Sequence, residues 1–316
     1  MSSLEPRSEN LIQIFDVVGR PPTHVRNILH ITQENATNTL AVDLEDHLLC
    51  ELDDVCVRIV RPHGTRNVLP VVIYFHGGWM LDFQDRHDHL MRGIATGVNA
   101  AVVFVKDSLG SDRREPTGIK QAFTVLSWLF EQAQALNLDC SRIAVVGDGV
   151  GGHLSITLAL QSAQAGGPRI LFQILLYPIT ETDFTLESYR EFADGPWLTQ
   201  SEMEWVWDQY QTNPSVRTQS TLSPWHVMPQ DLCGLPSTLI LTDENVSMRD
   251  EGEAYAIKLL EAGVDVTVIH AQGTARDFVT LHANAEPSAA RAAMDQAMCS
   301  LRLALGTTPV ENSSSE

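Results

Sequence analysis

The chain has 316 residues, of which 44% are hydrophobic and 19% are charged, and its formal net charge at pH 7 is −19. This length and apolar content suit one large α/β domain, because single domains of that class reach about 250 residues. The acidic excess repels polyanions, which excludes nucleic acid and anionic membranes as expected partners.

The ends of the chain and its cysteines indicate the cellular compartment. Residues 1–7 contain no apolar segment typical of a secretion signal, and no stretch approaches the ~20 apolar residues of a membrane span. The 5 cysteines are scattered without Cys-x-x-Cys spacing, which argues against a disulfide framework and a zinc site. We therefore expect a cytoplasmic protein that has no metal or cofactor, and a homodimer is compatible with the sequence.

Along the chain, β-branched runs alternate with segments of helical periodicity. This alternation predicts βαβ units and a mostly parallel sheet flanked by helices, whose ligands bind outside the carboxyl ends of the strands. Apolar residues recur at helical spacing from Ile119 to Phe130 and from Met294 to Leu305. The predicted strands cover residues 71–75, 101–105, 143–146, 170–176, 238–241 and 264–269.

The third predicted strand runs into Gly147-Asp148-Gly149-Val150-Gly151-Gly152, and a helical stretch follows. This order is typical of the nucleophile elbow G-x-S-x-G, a strained turn that exposes a serine hydroxyl above the sheet. The central residue here is Gly149, which accepts a positive φ without the penalty of a Cβ atom. The sequence therefore predicts that the turn persists without its nucleophile.

Several blocks, in order between about residues 70 and 304, resemble the hormone-sensitive-lipase group of α/β-hydrolases. His76-Gly77-Gly78-Trp79 resembles the oxyanion loop of that group, and residues 147–152 resemble its elbow. Arg249-Asp250-Glu251 resembles the start of its late helix, and Gly273 with Phe278 resembles the frame of its histidine loop. The resemblance implies an α/β-hydrolase fold, with a mostly parallel central sheet, flanking helices and a helical cap.

By the same resemblance, two stretches that break the alternation form the cap. Residues 1–61 are assigned to an N-terminal arm and part of the cap, and residues 180–235 to a cap insertion. The hydrolase core is divided into residues 62–179 and 236–305, and a disordered tail covers residues 306–316. Trp205 and Trp207 lie two apart on a predicted helix of the cap, so they cannot both face the pocket.

The resemblance also places three substitutions at the positions of the catalytic triad. Gly149 replaces the serine. Val246, four residues before Asp250, replaces the acid, and Arg276, three residues after Gly273, replaces the histidine. Removal of a triad as a unit costs on the order of 10⁶ in kcat. We therefore expect that the chain is not a serine esterase or lipase.

The groups that persist predict a pocket that polarises a carbonyl. The amides of Val150 and of Gly77 or Gly78 can donate hydrogen bonds to a carbonyl oxygen. Arg276, beside Asp277, can orient or activate a substrate, and an ion pair between these two residues at the surface is an equal alternative. The predicted substrate-binding residues are His76, Gly77, Gly78, Trp79, Asp148, Gly149, Val150, Trp197, Trp205 and Val246.

A pocket of this kind suits reactions that need orientation but no covalent intermediate, because proximity alone contributes roughly 7 to 11 kcal/mol. Plant carboxylesterase-like cyclases resemble the same group. We therefore expect a non-hydrolytic cyclase that acts on an apolar small molecule in specialised metabolism. A Diels-Alder cycloaddition is one form that this cyclisation can take. The alternatives are a small-molecule receptor resembling the gibberellin receptor and a catalytically inert pseudohydrolase.

Overall fold

A computed structural model describes residues 40–49, 55–77, 87–106, 117–194, 199–211, 223–275, 279 and 288–309, together with residues 213, 215, 217 and 219. Within these residues the chain forms one eight-stranded sheet with helices on both faces. The predicted α/β class is therefore confirmed.

The strands of the sheet are β1 (Val42–Leu49), β2 (Val55–Pro62), β3 (Leu69–Phe75), β4 (Ala101–Val105), β5 (Leu138–Asp148), β6 (Ile170–Leu176), β7 (Ser237–Asn245) and β8 (Val266–Ala275). Their spatial order is β1-β2-β4-β3-β5-β6-β7-β8. The strands from β3 to β8 are parallel, whereas β2 is antiparallel to both β1 and β4. All residues of β3 and β4 are buried, which explains their continuous apolar sequence.

The helices are α1 (Asp88–Val98), α2 (Thr117–Gln132), α3 (Val150–Gln164), α4 (Glu187–Glu191), α5 (Gln200–Tyr210), α6 (Pro229–Leu232), α7 (Arg249–Glu261) and α8 (Ser288–Leu305). Side chains of α2, α3 and α7 form a buried cluster with one face of the sheet. Side chains of α1 and α8 form a second cluster with the opposite face. Because alternate strand residues point to opposite faces, Ile73 belongs to the first cluster and Tyr74 to the second.

The structure differs from the sequence expectation at the N-terminal side of the chain. Residues 1–61 were assigned to an arm and part of the cap, but β1 and β2 within this range are strands of the central sheet. Arg58 of β2 donates two hydrogen bonds to Asp46 of β1, at 2.8 and 2.9 Å. The described part of this range therefore extends the sheet at its edge.

Candidate functional site

The carboxyl ends of β3 and β5 mark the point where the strand order reverses. β3 leads to β4 on one side, whereas β5 lies on its other side and leads towards β6. Phe75 of β3 is in register with Gly147 of β5, so the segments that leave these two strands start next to each other. Open α/β sheets bind ligands at such a point, and we therefore place the candidate site after Phe75 and Gly147.

The turn between β5 and α3 holds Gly149 at φ 54° and ψ −115°. This conformation is strained for any residue that has a Cβ atom. The N–H of Gly149 donates to the carbonyl of Leu176 at 2.9 Å, and the N–H of Ile179 donates to the carbonyl of Gly149 at 3.1 Å. Residues at the end of β6 therefore hold both polar groups of the Gly149 backbone in place.

The glycines of this turn are needed for different reasons. A Cβ atom at Gly147 would lie 2.1 Å from the carbonyl oxygen of Gly151, and one at Gly151 would lie 1.9 Å from the carbonyl oxygen of Phe75. A Cβ atom at Gly149 would have no atom of the described residues within 4 Å, its two chain neighbours aside. Close backbone packing therefore requires glycine at 147 and 151, whereas at 149 only the backbone conformation favours it.

A buried hydrogen-bond network ties the residue before the turn to the segment after β3. Asp148 Oδ1 accepts the hydroxyl of Tyr74 at 2.7 Å and the N–H of Gly77 at 2.9 Å. His87 Nε2 lies 3.2 Å from the same carboxylate. The N–H of Gly77 is therefore bonded to Asp148, so of the two amides expected to donate to a ligand carbonyl, that of Gly77 is engaged within the chain, and that of Gly78 lies outside the described residues. Asp148 was expected to contact the substrate. Its carboxylate is bonded to Tyr74 and Gly77 and holds the segment after β3.

His76 lies in the same buried region and contacts two carbonyl groups. Its Nδ1 is 2.8 Å from the carbonyl oxygen of Gly77, and its Nε2 is 3.1 Å from that of Lys106. Burial, assisted by the neighbouring His87, lowers the pKa of His76. A neutral imidazole has one N–H, so His76 donates to one of the two carbonyls at a time and holds the start of the segment after β3.

The segment that follows β7 carries Val246, whose side chain is buried in the core. Glu244 accepts the N–H of Gly273 at 3.0 Å, and Asn245 donates to the carbonyl of Thr274 at 2.9 Å. These two bonds join the ends of β7 and β8. The predicted residues Arg276 and Asp277, which follow β8, lie outside the described residues, as do Gly78, Trp79 and Trp197.

Trp205 and Trp207 of α5 differ in burial, as the two-residue spacing predicts. Trp207 is fully buried, and its ring meets that of His153 edge-on at 6.4 Å between centroids. Trp205 is 50% exposed. The structure therefore places Trp207 in the packing between α5 and α3, whereas Trp205, which was expected to bind substrate, lies on an exposed side of α5.

Glu251 is a buried carboxylate that the sequence argument did not single out. Its Oε2 atom accepts the backbone N–H groups of Thr180 at 2.7 Å and Glu181 at 2.6 Å, and its Oε1 atom accepts the hydroxyl of Tyr189 at 2.8 Å. The only sequence signal was a position in the first turn of a helix, which is ordinary for an acidic residue. The contacts that make Glu251 unusual join segments some 60 to 70 residues apart in the chain.

The protonation of Glu251 predicts a pH dependence of stability. Burial raises its pKa from 4.5 to about 8, against the effect of its hydrogen-bond donors. Two ionisable side chains of other segments face it, Tyr189 and Glu181, and Glu181 is paired with His226 at 3.1 Å. Between pH 4.5 and about 8 the folded chain keeps a proton that the unfolded chain has released, so this contribution to stability is lost as the pH rises.

We therefore expect the Tm of Glu251→Gln to rise relative to that of the unaltered chain as the pH increases from 5 to 8, and the difference to level off above pH 8. The amide has no proton to lose in this range, so it is insensitive to the change that weakens the carboxylate. Thermal unfolding of both proteins in the same buffers at half-unit pH steps measures the difference. Two parallel curves would contradict the raised pKa.

Among the described residues, no group of three or more histidine, cysteine, aspartate or glutamate side chains is placed to hold a metal ion. His87 is paired with Asp148 at 3.2 Å. No helix within the described ranges has both the length and the apolar character that a membrane span requires.

Comparison with known proteins gives consistent matches over most of the chain. The family model described as alpha/beta hydrolase fold matches residues 72–280. A carboxylesterase of Mycobacterium tuberculosis is 37% identical over 246 residues, which cover 76% of this chain and 76% of that protein. An ethyl acetate hydrolase of Pseudomonas putida is 33% identical over 231 residues, 71% of each chain. The crystal structure of a thermostable esterase from Pseudomonas putida, 33% identical, superposes with a TM-score of 0.90 over 96% of this chain and 98% of that one.

These relatives overturn the expectation of a non-hydrolytic cyclase and of Diels-Alder chemistry, because they are named as hydrolases of esters. The same relatives contradict the two alternatives, a small-molecule receptor and an inert pseudohydrolase. They also contradict the expectation that the chain is not an esterase. That expectation rested on the loss of the three triad side chains. The structure nevertheless has a sharp turn at Gly149, with φ 54° and ψ −115°, and a helix that begins at Val150.

Proposed function

The chain belongs to the α/β-hydrolase fold family, and on that premise we propose that it hydrolyses carboxylic esters by direct attack of water. In this proposal Gly149, Val246 and Arg276 occupy the positions of the triad. The observation that carries it is the space above Gly149. Among the described residues, its two chain neighbours aside, no atom lies within 4 Å of the point where a side chain at 149 would start, and the proposal places a water molecule there.

Val150 supports the proposal because it supplies a donor beside this space. It is the first residue of α3, so its N–H has no carbonyl partner within the helix. Such an amide, next to the turn, is the standard donor to the oxyanion of a tetrahedral intermediate in this architecture. The positive end of the helix dipole strengthens its interaction with a developing negative charge.

The proposed reaction passes through no covalent intermediate with the protein. The oxygen of water attacks the carbonyl carbon of the ester, and the negative charge that develops on the carbonyl oxygen is held by the N–H of Val150. The bond to the alkoxy group then breaks, the alcohol leaves with a proton from water, and the carboxylic acid is released. Ser155 does not replace the missing serine, because its hydroxyl is buried and donates to the carbonyl of Gly151 at 2.9 Å.

The expected rate is low for an esterase. A serine hydrolase without its triad still accelerates the reaction roughly 10³- to 10⁴-fold over water. This remaining acceleration comes from the oxyanion donors and from substrate binding. The proposal therefore predicts hydrolysis that is slow but clearly faster than in buffer. It also predicts that no acyl-enzyme forms, because no side chain attacks the ester.

The test uses the purified full chain and p-nitrophenyl butyrate. We expect steady release of p-nitrophenol above the buffer rate, without an initial burst, and no increase in the intact mass of the protein. Hydrolysis no faster than in buffer would contradict the proposed function. A stoichiometric burst together with an acylated protein would contradict direct attack by water and indicate a nucleophile elsewhere in the chain.

Substitution of Val150 tests the oxyanion donor separately. We expect Val150→Pro to lower kcat/KM for p-nitrophenyl butyrate by about 10²-fold or more, since one such donor is worth about 10² to 10³ in rate. Proline removes the N–H and is well tolerated at the first position of a helix. Val150→Ala is the matched control, because it keeps the N–H while it also reduces the buried side chain. Equal activities of the two folded variants would rule out a role for this amide.

A further inference from the structure

The segment after β6 links Glu251 to the turn at Gly149. The N–H of Ile179 donates to the carbonyl of Gly149 at 3.1 Å. The next two N–H groups of the chain, those of Thr180 and Glu181, both donate to Glu251 Oε2. Ile179 thus holds the backbone of Gly149, and one oxygen of Glu251 holds the two residues that follow Ile179.

The other oxygen of Glu251 fixes the cap. It accepts the hydroxyl of Tyr189 in α4 at 2.8 Å, and both side chains are fully buried. The neighbouring Asp250 accepts the N–H of Ser188 at 2.8 Å, so two consecutive acidic side chains at the start of α7 hold the same short helix. The support of the turn and the attachment of α4 thus meet at one side chain.

Packing around Pro178 leaves this segment little freedom. A Cβ atom at Gly152 of α3 would lie 2.9 Å from Pro178 Cβ, and one at Gly252 of α7 would lie 3.6 Å from Pro178 Cδ. The proline is therefore held between the first turns of two helices. Because α3 and α7 both pack closely against Pro178, the segment cannot move towards either helix. Its position along the chain direction therefore depends on the hydrogen bonds of the residues after Pro178.

We infer that Glu251 is a positioning residue of the ester site, which acts through Ile179 on the turn at Gly149 and through Tyr189 on the cap. It does not contact the reacting atoms, because it is enclosed by the segments that it joins. This inference rests on the proposed function only in that the site it positions is taken to be the ester site. The geometric effect on residue 149 is independent of whether esters are hydrolysed.

Two substitutions of Glu251 separate positioning from charge. Glu251→Gln keeps an oxygen that accepts both backbone N–H groups, and its NH₂ group can donate to the hydroxyl oxygen of Tyr189. Glu251→Ala removes every one of these bonds and leaves the N–H groups of Thr180 and Glu181 without their acceptor. Positioning by hydrogen bonds therefore predicts that position 149 is as accessible in the Gln variant as in the unaltered chain and more accessible in the Ala variant.

The experiment reports on position 149 without relying on catalysis. Gly149→Cys places a thiol in the open space above the turn, and its alkylation by N-ethylmaleimide is followed by peptide mass mapping. Cys233, which is exposed and distant from the turn in the sequence, gives an internal reference in the same sample. The substitution is combined in turn with Glu251→Ala, Glu251→Gln and, as a control on the same helix, Glu253→Ala.

We expect Glu251→Ala to speed alkylation at position 149 by ~10-fold or more, because loss of hydrogen bonds to a buried carboxylate loosens the turn and the cap. Glu251→Gln and Glu253→Ala should stay within about twofold of the single variant, and Cys233 should react equally in all four proteins. An unchanged rate at position 149 in a folded Glu251→Ala protein would overturn the inference. So would a Gln variant as reactive as the Ala variant.

If Glu251→Ala does not give folded protein, Tyr189→Phe takes its place, because it removes only the hydrogen bond to Oε1. We then expect ~3-fold faster alkylation at position 149, and an unchanged rate would again overturn the inference. Ester hydrolysis is measured on the same substitutions in the chain that retains Gly149. Absence of hydrolysis in the unaltered chain contradicts the proposed function but leaves the alkylation result standing, so the two failures are distinguishable.

Discussion

The triple substitution Gly149→Ser, Val246→Asp and Arg276→His is expected to raise kcat for p-nitrophenyl butyrate by at least about 10²-fold, with about 10⁶ as the upper limit set by a complete triad. The Cβ atom of a serine at 149 would meet no atom of the described residues within 4 Å, apart from its two chain neighbours. The side chain at 246 is buried, so an aspartate there is shielded from water and is stabilised only by a histidine partner. Each single substitution should leave the rate near its starting value, since a nucleophile without its base attacks poorly.

Steady-state kinetics and labelling with a fluorophosphonate measure this outcome, and the label should appear at position 149 in the triple variant alone. The matched control is the variant with Gly149→Ala, Val246→Asp and Arg276→His, which carries the acid and the base but no hydroxyl. A folded triple variant that is no faster than this control would show that positions 246 and 276 are not those of the acid and the base.

Gly151→Ala is expected to destabilise the protein by more than about 4 kcal/mol, a range that only severe steric or polar defects reach. The added methyl group would lie 1.9 Å from the carbonyl oxygen of Phe75, so β3 and α3 must separate to accept it. Gly149→Ala is the matched comparison in the same turn. Its methyl group would meet no close atom among the described residues, and the strained backbone alone should cost about 1 to 3 kcal/mol.

Urea unfolding followed by circular dichroism measures both variants, with the midpoint and the slope compared to those of the unaltered chain. The expected order of stability is the unaltered chain, then Gly149→Ala, then Gly151→Ala. Equal destabilisation of the two variants would show that backbone conformation, and not the approach of β3 to α3, decides which residues this turn accepts.

The core strands were predictable because they are buried on both faces. β3 and β4 match the predicted ranges 71–75 and 101–105 closely, since continuous β-branched runs leave little ambiguity. β1 was missed because Asp43, Glu45 and Asp46 give it an acidic sequence that disfavours strands. An edge strand with exposed side chains does not need the apolar pattern that sequence reasoning looks for.

Helical stripes were located correctly but their buried faces were less certain. The predicted stripe in α2 ran from Ile119 to Phe130, yet Phe130 is 40% exposed, whereas Val125 and Leu129 are buried. The face that is buried depends on how the helix is rotated against the sheet, and the sequence spacing of large side chains does not fix that rotation. In α8, Leu301 and Leu305 are buried as the pattern indicates.

The candidate site was predictable in its backbone and not in its polar contacts. The glycine pattern located the turn at Gly149, because only a few turns demand glycine at this spacing. The bonds of Asp148 to Tyr74 and Gly77 join residues more than 70 positions apart, and no local pattern reports them. The predicted roles of Arg276 and Asp277 stay predictions, since these residues lie outside the described ranges.

The bonds of Glu244 to Gly273 and of Asn245 to Thr274 bear on how this protein should be diversified by directed evolution. They couple the ends of two strands through side chains that take no part in the proposed chemistry. A library that randomises all residues near the pocket would therefore lose many variants to misaligned strand ends. Keeping Glu244 and Asn245 constant, while position 149 and its surroundings are varied, retains a common frame in which new activities can be compared.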